Sequence, residues 1–169
     1  MSKLQTIFSV LFLFSGWALA QPVCRCPTAT VNCAPVPGGF AASTSWTSCV
    51  VTVDPALCAA GGLYSGIVIN SGSVYGGFPI LTLPAAITAV CTLLHEGIHL
   101  CQFMPNPLCK AEVDAYAAMA NCYVAYYQQN HCDTPAQSQS SLCRWLAASA
   151  GWASAEQQTA CNPVTVPAP

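Results

Sequence analysis

Pro84-Ala85-Ala86-Ile87-Thr88-Ala89-Val90-Cys91-Thr92-Leu93-Leu94-His95-Glu96-Gly97-Ile98-His99-Leu100 decides the reading of this chain. Proline suits the first turn of a helix, and the segment meets no proline until Met104-Pro105-Asn106-Pro107, which must end it. A helix from Pro84 to about Phe103 is expected. Leu93, Leu94, Ile98 and Leu100 surround the polar residues with apolar ones, so the helix should be buried. Two histidines four apart stack one turn above each other on one helix face. A buried His, Glu and His without a partner would be costly.

A metal ion removes that cost. His95 and His99 can share one ion, and Glu96 can reach a water beside it. Zinc suits imidazole nitrogen, and catalytic zinc sites keep one position open. The ion lowers the pKa of water toward ~7, and a carboxylate at the position of Glu96 takes the proton as general base. A third protein ligand is then required. Asn106 is a good N-cap and Pro107 a good first residue for a second helix, running to about Gln129. The link is short, so this helix should return antiparallel to the first. Its first turns then lie beside His99 and carry Glu112 and Asp114, two residues apart and therefore pointing differently. One of the two is expected to be the ligand, with His131, Asp133 and Glu156 the other remaining donors. Cys91 continues the row of His95 and His99, but the row spans about 12 Å, too far for one ion. If His99 faces Glu112, the same register places Cys91 near Cys122 and Cys101 near Cys109. Both pairs are expected as bridges.

His95-Glu96-Gly97-Ile98-His99 followed by Glu112-Val113-Asp114-Ala115-Tyr116 resembles the gluzincin branch of the zincin metallopeptidases. The resemblance spans residues 95–116. It implies that Glu112 is the third zinc ligand, that Ala115 lets the helices approach, and that Tyr116 hydrogen-bonds a ligand or the substrate oxyanion. The aspzincin pattern, with an aspartate ligand, is similar only in Asp114-Ala115-Tyr116; its Gly-Thr before and Tyr-Gly after the ligand are absent. The resemblance also implies a zincin-like fold in which a strand upstream of the active helix binds substrate by edge pairing, here Leu63–Asn70 or Val74–Leu83.

Working outward, Thr47–Val53 and Leu63–Asn70 read as strands, being β-branched and aromatic runs bounded by Gly, Pro and Ser. Val74–Leu83 would be a third extended piece. Thr134-Pro135 repeats a helix-start signal for a third helix over about 135–150, Gly151-Trp152 suggests a break, and a short helix follows to Gln158. Strands followed by helices make the fold class α+β. Trp46, Trp145 and Trp152 are expected in the core or lining a cleft. Tyr123, Tyr126 and Tyr127 are expected to pack along the second helix, and His131 to sit at the surface or as a cap.

At the front, Met1-Ser2-Lys3, an apolar run from Leu4 to Trp17 and Ala18-Leu19-Ala20 read as a secretory signal peptide cleaved after Ala20. The domain division is then 1–20 signal peptide, 21–45 irregular Cys-containing segment or pro-region, 46–161 metal-binding domain and 162–169 extended tail. All twelve cysteines follow residue 20. An even number in an exported chain implies disulfides, with on the order of 10⁴ connectivities open. Past residue 20 the bases are only Arg25, Lys110 and Arg144. No basic patch exists to hold nucleic acid or an anionic membrane. The expectation is a monomeric, secreted or periplasmic zinc peptidase acting on protein or peptide, without nucleic-acid or membrane partners. The alternative is a disulfide-rich binding or effector protein whose zinc site is structural or inactive.

Overall fold

The computed structural model describes residues 25–70, 82–102 and 108–161. Among them the order is β1 (Thr28–Cys33), β2 (Ala42–Ser45), β3 (Val50–Val53), α1 (Pro55–Gly61), β4 (Val68–Asn70), α2 (Pro84–Leu100), α3 (Leu108–Gln129) and α4 (Ser141–Thr159). The class is α+β, as the sequence implies. The expected signal peptide, most of the extended piece Val74–Leu83, the Met104–Pro107 link and the tail lie outside the described residues.

The four strands form one sheet in the order β2-β3-β1-β4. β1 runs parallel to β3, while β2–β3 and β1–β4 are antiparallel. Period-two alternation explains the sheet: Ala29 and Val31 of β1 and Val51 and Val53 of β3 are buried while their neighbours are not. The expected strands are shorter than their sequence signals. Residues 46–49 form a turn, with Cys49 at φ 51°, before β3 begins. Gly66 at φ 96° turns the chain before β4. Residues 21–45 are not merely irregular: β1 and β2 lie there and supply half of the sheet. Their weak strand composition is offset by disulfides. Cys26–Cys49 and Cys33–Cys58 tie β1 and its approach to the segments around β3.

Helix α1 sits in the stretch between the expected strands. Asp54 caps it by accepting a hydrogen bond from the Ala56 N–H, and Pro55 occupies its first turn. Gly62 ends it in the left-handed conformation. Gly61 is required by packing, since a Cβ there would collide with the Ala89 methyl of α2.

Helix α2 is the hub. Its Leu93 and Leu100 join Val31, Val51 and Val53 in the core beneath the sheet. Its Ile87, Cys91 and Leu94 join Met119, Tyr123, Tyr126 and Leu146 in a second core with α3 and α4. Both faces are consumed by apolar packing, and the polar residues are left to the strip between them.

The third helix starts later than expected and does not break. Residues 130–140 form turns, His131 adopts φ 53°, and Ser140 caps α4 by accepting from the Cys143 N–H. Thr134-Pro135 belongs to this turn, which the Cys132–Cys143 bridge closes. Gly151 lies inside α4, because burial of Leu146 and Ala153 against α3 outweighs the propensity cost of one glycine. His131 is exposed, as expected of a surface residue.

Cys91–Cys122 is formed as the antiparallel register predicts. Cys101–Cys109 is not: Cys109 pairs with Cys161, and Cys101 is disulfide-bonded elsewhere. Helix α2 ends at Leu100, so its register no longer holds at Cys101, while Leu100 accepts a hydrogen bond from the Cys26 N–H. Uninterrupted α4 returns along α3 and brings Cys161 to Cys109. Among the described residues there are five disulfides, which fit an oxidising compartment. No helix there is long and apolar enough to cross a membrane.

Peptide mapping of the unreduced protein should therefore recover Cys91 with Cys122 and Cys109 with Cys161. Cys91→Ala combined with Cys122→Ala opens a crosslink of sequence separation 31. It should lower unfolding free energy by about 2–4 kcal/mol in denaturant titration of the unreduced protein.

Candidate metal centre

Helices α2 and α3 pair so that His99 lies opposite Glu112 and His95 opposite Tyr116. The Nε2 atoms of His95 and His99 are 3.2 Å apart. The Glu112 carboxylate oxygens lie 3.5 Å from His95 Nε2 and 3.4 Å from His99 Nε2. These donors make up one group whose ligand atoms all fall within 4.8 Å of each other. Ligand atoms about 2.0–2.1 Å from a tetrahedral zinc stand ~3.3–3.4 Å apart. The spacing of the three groups therefore fits one small divalent ion. The two histidines are buried and Glu112 is half-buried, so the site opens to solvent on the carboxylate side.

The supporting contacts favour Nε2 as the ligand atom of His99. Its Nδ1 lies 2.8 Å from Gln102 Oε1, so Nδ1 carries the proton and Nε2 keeps its lone pair. Gln102 Nε2 in turn donates to the Ala111 carbonyl at 2.8 Å, fixing the end of α2 to the first turn of α3. Trp46 Nε1 donates to the His99 carbonyl at 2.8 Å from the opposite side. The His95 ring is held differently. Its centroid is 4.6 Å from that of Tyr116 in an edge-to-face contact, and its Nδ1 makes no hydrogen bond among the described residues.

The hydrogen bond from His95 holds the Glu112 carboxyl below the usual range; burial opposes this, and the charges of His99 and His95 reinforce it. Glu112 is thus presented as the anion a cation site needs. Asp114, the other candidate, is turned away and pairs with Lys110 at 3.2 Å on the exposed side of α3. Cys91 is committed to its bridge.

Glu96 is buried on α2 and lines the same cleft as the cluster. Thr44 of β2 donates its hydroxyl to Glu96 Oε2 at 2.6 Å. Burial raises the Tyr116 phenol pKa, and the carboxylates of Glu112, Glu156 and Glu96 add to the effect. The phenol is consequently a neutral donor at ordinary pH. The cleft has a volume of about 730 Å³, within the range of small-ligand sites. Strand residues Ala42–Thr44, with Ala41 just before them, line one side of it and Trp152 the other. Trp46 lines it as well, whereas Trp145 packs edge-on against Tyr123. Tyr126 is fully buried, and Tyr127 packs partly buried against the same helical core.

Compared with protein-family models, curated proteins and solved structures, the chain matches none. The reading of the site therefore rests on its own chemistry.

The sequence pattern brings His95, His99, Glu112, Glu96 and Tyr116 to one cleft, and the structure does so too. Gln102 and Thr44 are additions. Gln102 is reachable by helix spacing, three residues after His99. Thr44 is not, because its partner lies 52 residues away across the sheet. Of the two segments expected beside the site, Leu63–Asn70 supplies β4, at the far edge of the sheet, and most of Val74–Leu83 lies outside the described residues; among those residues β2 is the edge strand at the cleft.

Glu112→Ala should abolish stoichiometric zinc binding measured by calorimetry, while Asp114→Ala keeps it. Gln102→Ala removes a supporting contact and should weaken zinc affinity by roughly 10–100-fold. Equal affinity in Gln102→Ala and wild type would show that His99 needs no such support.

Proposed function

We propose that the chain is a secreted zinc-dependent peptidase with a zincin-like site, its signal peptide removed after Ala20. The observation that carries the proposal is Glu96: a carboxylate buried next to the His95/His99/Glu112 group, in the same substrate-sized cleft, and held by a dedicated hydroxyl. A structural zinc site is closed by four protein ligands, whereas catalytic sites use three. Three donors converge among the described residues, and a purely structural ion would leave Glu96 without a use. This favours the peptidase over a binding protein with an inert metal.

Bound by His95, His99 and Glu112, the ion would act as Lewis acid and activate water at neutral pH. The remaining roles fall to the chain. Thr44 occupies Oε2 of Glu96 and leaves the other oxygen to accept a proton from the attacking water. Glu96 then returns that proton to the departing amine. The Tyr116 phenol donates toward the oxyanion developing on the substrate carbonyl. A polypeptide is the natural ligand of an edge strand, and β2 offers backbone groups along the cleft for main-chain pairing.

Zinc content and cleavage of an unfolded protein test this reading together. Glu96→Gln should keep its zinc and lose activity by about 10²–10⁴-fold, the range of general-base catalysis. A chelator should abolish cleavage and zinc restore it. Cleavage by Glu96→Gln at the wild-type rate sinks the proposal. Thr44→Val should lower kcat by roughly tenfold or more with little change in KM, since a hydrogen bond to a charged group is lost. Thr44→Ser should restore it.

A further inference from the structure

The cleft at the metal centre does not end at its own rim. A second cavity of about 490 Å³ adjoins it, between α1, the start of α2 and the segment before β2. Gly39, Phe40, Ala41 and Thr88 line both. The two cavities therefore adjoin along these residues, of which Phe40 has the largest side chain.

Phe40 is built for contact with something outside the fold. Its side chain is 69% exposed and stands on the lining of both cavities. Yet it is not loosely placed. Gly38 and Gly39 adopt φ 80° and 75°, a turn that L side chains resist, and the Phe40 ring lies so close over Gly38 that a Cβ there would meet it at 2.8 Å. Across the cleft, Trp152 is the other large exposed apolar side chain of the rim, half exposed and in edge contact with Tyr116. Between them the floor follows the register of α2 and α3, with Thr92 opposite Met119 and Thr88 opposite Tyr123 beyond His95 and Tyr116. From His99 to Thr88 this floor is about 16 Å long at ~1.5 Å per residue. An extended chain rises ~3.3 Å per residue, so roughly five residues cover it.

The charge of the lining is one-sided. Glu96, Glu112 and Asp54 are its carboxylates, and no Lys or Arg lines either cavity.

On the peptidase reading, we infer that the groove takes an extended and largely apolar polypeptide stretch poor in acidic residues. The stretch runs from the metal centre over Phe40 into the second cavity, which is a distal subsite. A divalent ion balances Glu96 and Glu112, so Asp54 is the carboxylate left to disfavour acidic side chains in the second cavity, and Phe40 determines specificity by gripping the chain where it crosses between the cavities. Adjacency of the cavities sets the length of the substrate, and the lining sets its chemistry.

The test starts with a reduced, carbamidomethylated unfolded protein digested by the zinc-loaded enzyme. Cleavage sites mapped by mass spectrometry should be flanked by apolar residues and depleted of Asp and Glu. From the best site, a peptide of about twelve residues and a version cut to about five are made, spans set by the extended-chain rise. For wild type, kcat/KM should be about tenfold or more higher for the long peptide, the effect of burying roughly one further apolar side chain. Ala60 is exposed on α1 and lines the second cavity, so Ala60→Trp fills it. Ala60→Trp and Phe40→Ala should each bring the long-to-short ratio toward one. In a Glu96→Gln background, both should also weaken binding of the long peptide by a similar factor in fluorescence titration. Equal kcat/KM for the two peptides in wild type overturns the inference while leaving the peptidase standing. So does a ratio that neither substitution alters, or cleavage as frequent beside acidic residues as beside apolar ones. A zinc-loaded enzyme that cleaves no bond of the unfolded protein removes the peptidase reading and this inference with it.

Discussion

The metal centre depends on one register, that of α2 against α3. Once Cys91 is joined to Cys122, the antiparallel pair can slide by very little, and every facing position along it is set. His95 meets Tyr116, and His99 meets Glu112, because of that register. A slip of one residue on α3 would turn Glu112 by about 100° around its helix and bring Val113 toward the histidines, a residue that ligates nothing. The same register continues away from the site and builds the floor of the cleft. One crosslink thus governs both the metal-binding group and the surface on which a substrate would lie.

The second constraint is scarcity of charge. Charged residues make up 6% of the chain, and α2 is packed on two faces by apolar cores. Burying Glu96 in such a helix is unfavourable unless its oxygens are satisfied. Thr44 satisfies one of them, which explains why β2 must lie against α2 and not at the far edge of the sheet. Trp46, just past the same strand, reaches the His99 carbonyl. Strand β2 and the turn after it therefore contribute hydrogen bonds to the site as well as serving as a platform for the helix.

Legibility in the sequence follows the range of the interactions. His95, Glu96 and His99 are fixed by helical periodicity, and Glu112 by a short turn followed by a second helix; both are local rules. Helix α1, absent from the sequence expectations, carries local signals of the same kind in Asp54-Pro55 and Gly61-Gly62, a cap, a first-turn proline and a glycine stop. Where local rules compete with packing they mislead. Thr134-Pro135 looks like a helix start, but a disulfide of sequence separation 11 claims it for a closed loop. Gly151 looks like a stop, but burial along α3 carries α4 through it. Strand β2, Ala42–Ser45, has little strand character of its own, and β1 has Thr28, Thr30 and Val31 to offer. They form because β3, with its Val50-Val51-Thr52-Val53, offers pairing on both edges, and nothing local reports that.

The placement of the bridges explains how a small chain holds such a site. Cys91 lies four residues before His95 and Cys109 three before Glu112, so each helix that carries a candidate ligand is stapled one turn ahead of it. Gln102 adds a polar tie between the two helices, linking His99 to the Ala111 carbonyl. Any error in ligand position must then come from bending within one turn, where helix geometry is stiffest. In small zinc domains the ion organises the fold and its binding energy is folding energy. Here the covalent frame positions the ligand helices, so the binding energy of the ion need not be used to assemble them. With three donors in the group, a tetrahedral ion held there would keep a fourth position open, which is what the proposed hydrolase requires.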